Sequence, residues 1–233
     1  MRGARAASAR ALSTSASITN RMKSALARLG VRGFKPHLRK APERLAGLRT
    51  AEGTGLPVNI IAEFRRDMAR LALVREQIGS IEKTRAERLE RAPDTGPHAM
   101  VRLLARVIGI GIETADMLVR EILSRKLRDR RAVARYAGLT GSPDESGLNR
   151  REKGLAKAGN ARVRRGVIQL AWRFLMFQKD SALARWYRTR TEGPSGARKT
   201  TMIVALARKL LIALWRLVTT GEVPDGVALR PAA

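Results

Sequence analysis

Apolar residues fall three or four positions apart through most of the chain, which is the repeat of one helix face rather than of a strand. A first run, Ile18, Met22, Ala25, Leu26 and Leu29, predicts a helix closed by Gly30 and Gly33. Residues 35–59 carry Pro36, Pro42 and Pro57 and read as a connector holding at most a short helix over 42–48. Ile61, Phe64, Met68, Leu71, Val74, Ile78 and Ile81 then form one stripe on a helix over residues 61–91, with charges on its remaining faces. Such a helix fits a coiled coil or a packed antiparallel hairpin. Self-association, docking between domains and packing within its own domain are all open for the stripe.

Two prolines and a glycine in residues 92–99 mark a linker. Beyond it, helices are expected over 100–107 and 113–124 around Gly109-Ile110-Gly111, and over 129–137, ended by Gly138. Asn160 is placed to N-cap a helix running to about Lys179, and a last helix over 198–220 stops at Gly221. No strand alternation stands out, so the expected fold class is all-α, a long charged coiled-coil-like segment followed by a helical domain. The organisation predicted is a mobile tail over 1–17, a helical region over 18–91, a linker over 92–99, a C-terminal domain over 100–221 and a tail over 222–233.

Charge narrows the function. Lys and Arg number 47 against 20 Asp and Glu, a net charge of +27 in 233 residues. That excess implies a polyanionic partner, nucleic acid first. The absence of cysteine excludes a disulfide scaffold, a Cys-ligated zinc site, an iron–sulfur cluster and a thiol nucleophile. With only His37 and His98, a His-built metal centre or a Ser/His triad is disfavoured, and no metal ligands are assigned. No apolar run reaches the roughly 20 residues of a membrane span, and the nearest candidate, residues 202–218, carries Arg208, Lys209 and Arg216. No membrane partner is expected. The opening residues share their Arg/Ser/Ala composition with mitochondrial transit peptides, although a plain tail is the preferred reading.

Gly109-Ile110-Gly111 between two helices has the form of a helix-hairpin-helix. Glycines let such a turn take positive φ and keep its amides open to a DNA phosphate without reading sequence. The alternative is a tight turn with no ligand. Lyase enzymes that use this hairpin carry a Lys where Glu113 and Thr114 stand, which disfavours that class. Residues 193–200, GPSGARKT, fail as a P-loop because Arg198 replaces the glycine required before Lys199.

The densest chemistry lies in residues 138–172. Ser146-Gly147 is followed by Asn149, Arg150, Arg151 and Lys153, then by Gly154-Leu155-Ala156-Lys157-Ala158-Gly159-Asn160 and by Arg162, Arg164 and Arg165. A serine hydroxyl attacking phosphate needs a base or metal, together with cations that stabilise the pentavalent transition state. The arginines supply the cations. Taken alone, Ser146 is more often a turn residue than a nucleophile.

The ordered set Gly109-Ile110-Gly111, Tyr136-Ala137-Gly138-Leu139, Ser146-Gly147, the run 154–160 and Arg164 resembles the C-terminal half of insertion-sequence transposases of the IS116/IS110/IS902 type. These pair a DEDD nuclease domain with a serine-bearing domain, and some are guided by a bridge RNA. The similarity extends through residues 205–215 and back to about Ile18. Ala156 stands where the family commonly has a hydroxyl residue. The resemblance implies a recombinase domain in which Ser146 is the catalytic serine that joins DNA phosphate, with Gly109, Gly111, Arg150, Arg151, Lys153, Lys157, Asn160, Arg162, Arg164 and Arg165 on the DNA.

The resemblance further implies a RuvC-like N-terminal domain holding divalent metal, expected to be Mg. The first twenty residues cannot hold that domain, so the chain reads as N-terminally truncated, with no cofactor of its own and little activity alone. Asp129, Asp144 and Glu145 do not have the spacing of a DEDD set. Expected partners are DNA, a guide RNA and either further copies of the chain or a full-length transposase, in the bacterial cytoplasm at the nucleoid. The rivals are a non-catalytic nucleic-acid-binding regulator of a full-length transposase and an architectural or ribosome-associated basic protein.

Overall fold

Most apolar runs of the sequence form helices in the computed structural model, which describes residues 2–146, 149–155, 158–192 and 199–231, with backbone alone for 2–6, 8, 9, 142–146 and 149–154. In chain order these are α1 Arg2–Arg28, α2 Ala41–Leu45, α3 Val58–Glu90, α4 Gly96–Arg106, α5 Ile112–Leu118, α6 Arg130–Tyr136, α7 Ala161–Phe177, α8 Ala182–Thr191 and α9 Lys199–Thr220. A π-helical turn, Val119–Leu123, continues α5. The fold is all-α in class, with one antiparallel ribbon, β1 Gly141–Ser146 and β2 Asn149–Leu155, set between α6 and α7.

Two compact units divide the chain, Met1–Arg88 and Leu89–Ala233. In the first, Phe64, Met68 and Leu71 of α3 are buried with Ile18, Met22 and Leu26 of α1 and with Ala41, Leu45 and Leu56. The N-terminal part of the α3 stripe is therefore covered inside its own unit. Asp67 is 2% exposed and accepts from Arg21 Nε at 3.2 Å and Nη2 at 2.5 Å, an arrangement that raises the arginine pKa. Helix α1 closes on Gly30 at φ 76, with Gly30 N donating to Ala27 O and Val31 N to Leu26 O. The segment expected as a tail over 1–17 is a correction: α1 begins at Arg2, where Ala4, Ala6, Ala7, Ala9 and Ala11 favour helix intrinsically.

The second unit is built around α9, whose Ile203, Leu206, Ala207, Leu210, Leu211, Leu214 and Leu217 are buried. Against it packs the apolar face of α7, Val163, Val167, Leu170, Ala171 and Phe174. Fully burying a side chain such as Phe174 contributes about 1.5–3 kcal/mol. At Gly166 a Cβ would lie 2.4 Å from the terminal methyl of Met117 on α5, a flexible side chain that can give way. Arg102 gathers the connection after α3, donating to Leu89 O, Ala92 O, Pro93 O and Asp94 Oδ1.

Three further features depart from the sequence expectations. Helix α8, capped by Ser181 Oγ on Ala184 N, separates from α7 across four residues, 178–181. The stretch 141–155 contains two strands rather than irregular chain. Residues 222–231, expected as a tail, lie against the end of α4 and the turn after it through backbone bonds of Ile108 N to Ala228 O and Arg230 N to Arg106 O.

Candidate nucleic-acid interface

The turn between α4 and α5 is held from inside. Gly109 has φ 98, and a Cβ on it would meet Phe177 Cβ at 3.1 Å, so glycine is needed here both for backbone and for space. Ile110 is fully buried and its amide donates to Val107 O at 2.9 Å, while the Ile108 amide is bound by Ala228 O at 3.2 Å. Buried Gln178 donates from Nε2 to Ile108 O at 2.7 Å, and Arg230 Nη1 reaches Ala105 O and Ile110 O. Gly111, at φ −89, is the N-cap of α5 and faces open space. Two of the amides that a phosphate would need are thus committed to the fold.

Gly138 and Gly159 join α6 to α7. Gly138 at φ 64 ends α6 as its N–H donates to Arg135 O and Leu139 N donates to Ala134 O. A Cβ at Gly138 would stand 2.3 Å from Ala158 O and 2.5 Å from Arg164 Nη1. Gly159, at φ 108, leaves no more room: its Cβ would lie 2.6 Å from Tyr136 O. The next residue, Asn160, donates its backbone N–H to that same Tyr136 O at 2.7 Å. Its Oδ1 accepts from Arg162 N at 3.0 Å and Val163 N at 3.2 Å, capping α7, and its Nδ2 donates to Glu121 Oε2 at 3.0 Å. The Asn160 side chain is accordingly occupied within the fold.

The ribbon leaves and re-enters the helical unit at this clamp. Its register pairs Gly141 with Leu155, Pro143 with Glu152, Asp144 with Arg151, Glu145 with Arg150 and Ser146 with Asn149, with an irregularity between Gly141 and Pro143. Ser146 thereby ends β1 at the distal end of the ribbon. Arg150 and Arg151 take register positions opposite two carboxylate residues, the arrangement that favours cross-strand pairing. Lys153 is on β2. Gly147 and Lys157 lie outside the described residues, as do the side chains of Ser146, Arg150, Arg151 and Lys153.

Helix α7 presents the described cations. Arg162 pairs with Glu121 at 3.4 Å, Arg164 is half-buried beside Gly138, and Arg165 is exposed, with Nε donating to Ala161 O at 3.3 Å. Further along the same outward face stand Gln169, Trp172, Arg173 and Met176. Sequence reasoning did not single these out; the available signal was a tryptophan seven residues from Arg165 on an otherwise polar face. At the start of α6, Asp129 accepts from Ala132 N at 2.8 Å, which holds its carboxyl below the ordinary range against partial desolvation, helped by Arg128. Among the described residues no three Asp, Glu or His side chains gather as a possible metal site.

Residues 101–188, which hold the hairpin, the clamp, the ribbon and α7, match the model of the "Transposase IS116/IS110/IS902 family". A protein of Sinorhizobium fredii (strain NBRC 101917 / NGR234) named "Putative transposase y4rJ" is 41% identical over 219 residues, which cover 91% of this chain and 55% of that protein. Residues 101–188 are a domain of the IS116/IS110/IS902 transposase family. The chain spans about half the length of the curated relative it matches. The family match begins within α4 and ends within α8. No helix among the described residues is long and apolar enough to cross a membrane.

Proposed function

We propose that this chain is the DNA-binding, serine-bearing part of an IS116/IS110/IS902-type transposase, acting in DNA transposition or site-specific recombination of an insertion sequence. One observation carries the reading. The clamp of Gly138, Gly159 and Asn160 anchors both ends of a ribbon whose far end bears Ser146, while α7 starts at the same clamp with its arginines. A nucleophile on a fixed arm beside a basic helix suits attack on a phosphate in a bound backbone.

In that step the Ser146 hydroxyl oxygen bonds to phosphorus as the ester bond to one neighbouring sugar breaks. The serine proton passes to a base, and the released sugar oxygen takes a proton. Arg150 and Arg151, which follow Asn149, the register partner of Ser146, on β2, spread the charge of the pentavalent state, which does not by itself ionise the hydroxyl. In this reading full strand exchange also draws on the metal-holding DEDD nuclease domain and the guide RNA that the family resemblance implies. The phosphate contacts fall to the arginines and lysines of the ribbon and of α7, and Gly109 and Gly111 serve mainly to shape the hairpin that supports α7. The setting is the bacterial cytoplasm, on nucleoid DNA.

The experiment mixes the chain with a full-length family transposase whose own serine is changed to Ala, then examines protein–DNA adducts on a denaturing gel. An adduct of this chain's mass that disappears with Ser146→Ala is expected. An adduct surviving that change, or formed by the chain alone in EDTA, overturns the nucleophile. No adduct under any condition leaves a non-catalytic nucleic-acid binder.

A further inference from the structure

Of the three tryptophans, two are already engaged. Trp186 has Lys209 Nζ 4.8 Å and the Arg190 guanidinium 5.5 Å from its ring centroid, and Trp215 is packed against the core around α9. Trp172 is 45% exposed. Its ring meets Tyr187 edge-on, centroids 6.5 Å apart, and Tyr187 is itself 6% exposed. The indole is thus braced from α8 while a large part of it faces solvent. Met176, one turn on, is 67% exposed as well, so this face keeps apolar and aromatic surface open to a flat ligand.

Its neighbours identify that ligand. On the outward face of α7, Arg165, Gln169 and Arg173 follow one another at one-turn spacing, Trp172 lies one turn after Gln169 and one turn before Met176, and no acid of α7 joins them. From Arg162 to Met176 the face runs 14 residues, roughly 21 Å at the rise of an α-helix. Gln169 and Arg173 also line a groove of about 180 Å³ between α7 and α5, with Glu113 and Thr114 on its far side. The carboxylate disfavours phosphate inside the groove and leaves a polyanionic backbone to the outward face, where Arg165 and Arg173 are both exposed. Guanidinium groups spaced along a strip with an aromatic ring among them form the pattern that holds unpaired nucleic acid, in which phosphates track the cations and a base stacks on the ring. A base inside a duplex has no free face to offer.

We infer that the outward face of α7 binds a single-stranded DNA segment, with one unpaired base stacked on Trp172 and the adjoining phosphates on Arg165 and Arg173. The inference deepens the proposed function and rests on its assignment of α7 to DNA. Commitment to DNA rests on the match of residues 101–188 to a family of transposases, and a single RNA strand is the alternative that the test below separates. A second protein copy is a poorer occupant, because its own Arg165 and Arg173 would be brought toward like charges.

The test titrates the full chain with a short oligothymidine, its duplex and an oligouridine of equal length, following tryptophan emission and affinity. The single DNA strand is expected to quench emission and to bind in preference to the RNA. Trp172→Leu is expected to abolish the quenching and weaken single-strand binding by roughly 5- to 150-fold, with little change for the duplex, and Trp172→Tyr to restore most of the affinity. Helicity is compared by circular dichroism, and the duplex affinity of Trp172→Leu shows independently that the fold and the arginines remain. Quenching that survives Trp172→Leu, equal loss for duplex and single strand, or preference for oligouridine overturns the inference. Arg165→Glu with Arg173→Glu separates the two levels: unchanged DNA binding by that variant rejects the assignment of α7 itself, whereas loss with a silent Trp172 rejects the stacking alone. Light scattering that shows the mass of the chain halving on Trp172→Leu identifies a second copy as the occupant instead.

Discussion

Gln178 and Ala228, fifty residues apart, exchange two hydrogen bonds: Gln178 Nε2 donates to Ala228 O at 3.0 Å, and Ala228 N donates to Gln178 Oε1 at 2.9 Å. The same amide also holds Ile108 O, so one side chain ties the C-terminal segment to the glycine turn and to the end of α7. Gln178→Ala removes three part-buried hydrogen bonds to Ile108 O, Ala228 O and Ala228 N, each contributing about 0.5–1.5 kcal/mol. Urea unfolding should report a lower midpoint and hydrogen exchange a faster rate at Ile108 and Ala228. An unchanged midpoint means that the segment is held by something other than Gln178.

Gly138→Ala and Gly159→Ala place a Cβ against backbone carbonyls at positive φ. Strain of this kind costs about 1–3 kcal/mol before any clash is added. Both variants should melt at lower temperature and lose exchange protection between α6 and α7. Gly111→Ala, with open space around it and φ −89, should lose much less. If all three variants melt together, the clamp has been misjudged.

Asp129 gives stability a defined dependence on pH. Its folded carboxyl titrates below the ordinary value, so its contribution is complete above the unfolded pKa of roughly 3.9 and disappears as pH falls through the lower, folded value. Melting temperatures recorded from neutral pH into the acid range should fall less steeply for Asp129→Asn, which keeps a cap acceptor without the charge. Identical acid limbs for the two proteins count against the Ala132 bond.

Leu71 and Ile78 separate two roles for α3. Leu71 is 1% exposed in the core of the first unit, so Leu71→Lys buries a charge and should cost that unit its cooperative unfolding. Ile78 is half-buried, and Ile78→Lys should leave helicity intact. A lower mass by light scattering for Ile78→Lys makes the later part of α3 an interface between copies. An unchanged mass confines the stripe to internal packing.

Binding to duplex DNA should be strongly salt-dependent, given the net charge of +27. Neutralising ~6–10 phosphates lowers affinity by ~10³–10⁵ between ~50 and ~200 mM salt. A flat salt titration argues against nucleic acid as the main partner.

Much of the fold was legible because it depends on local signals. Asn160 caps α7 as its position suggested, Gly138 ends α6, and the α3 stripe gives a helix that begins at Val58. What escaped depends on distant partners or on weak punctuation. GSPDES and NRREKGL show no alternation of apolar residues, since the ribbon pairs charged positions in register rather than burying a face. Lys179 and Asp180 break α7 from α8 without glycine or proline. The C-terminal segment has the composition of a tail and is held by backbone bonds to residues more than a hundred positions away. Of the candidate site, Asn160 was found by its capping position, yet its involvement with Glu121 was not, because that contact spans 39 residues.

The bond from Asn160 N to Tyr136 O closes the chain on itself at the foot of the ribbon. Residues 139–158 accordingly form a cassette whose two ends already touch, and the helices around it are joined whether the cassette is long or short. Lengthening such an insert adds only loop-closure entropy, about 0.6 kcal/mol for each doubling. The reach of the arm that carries Ser146 can therefore change between homologues, or by engineering, without rebuilding the core that aims it.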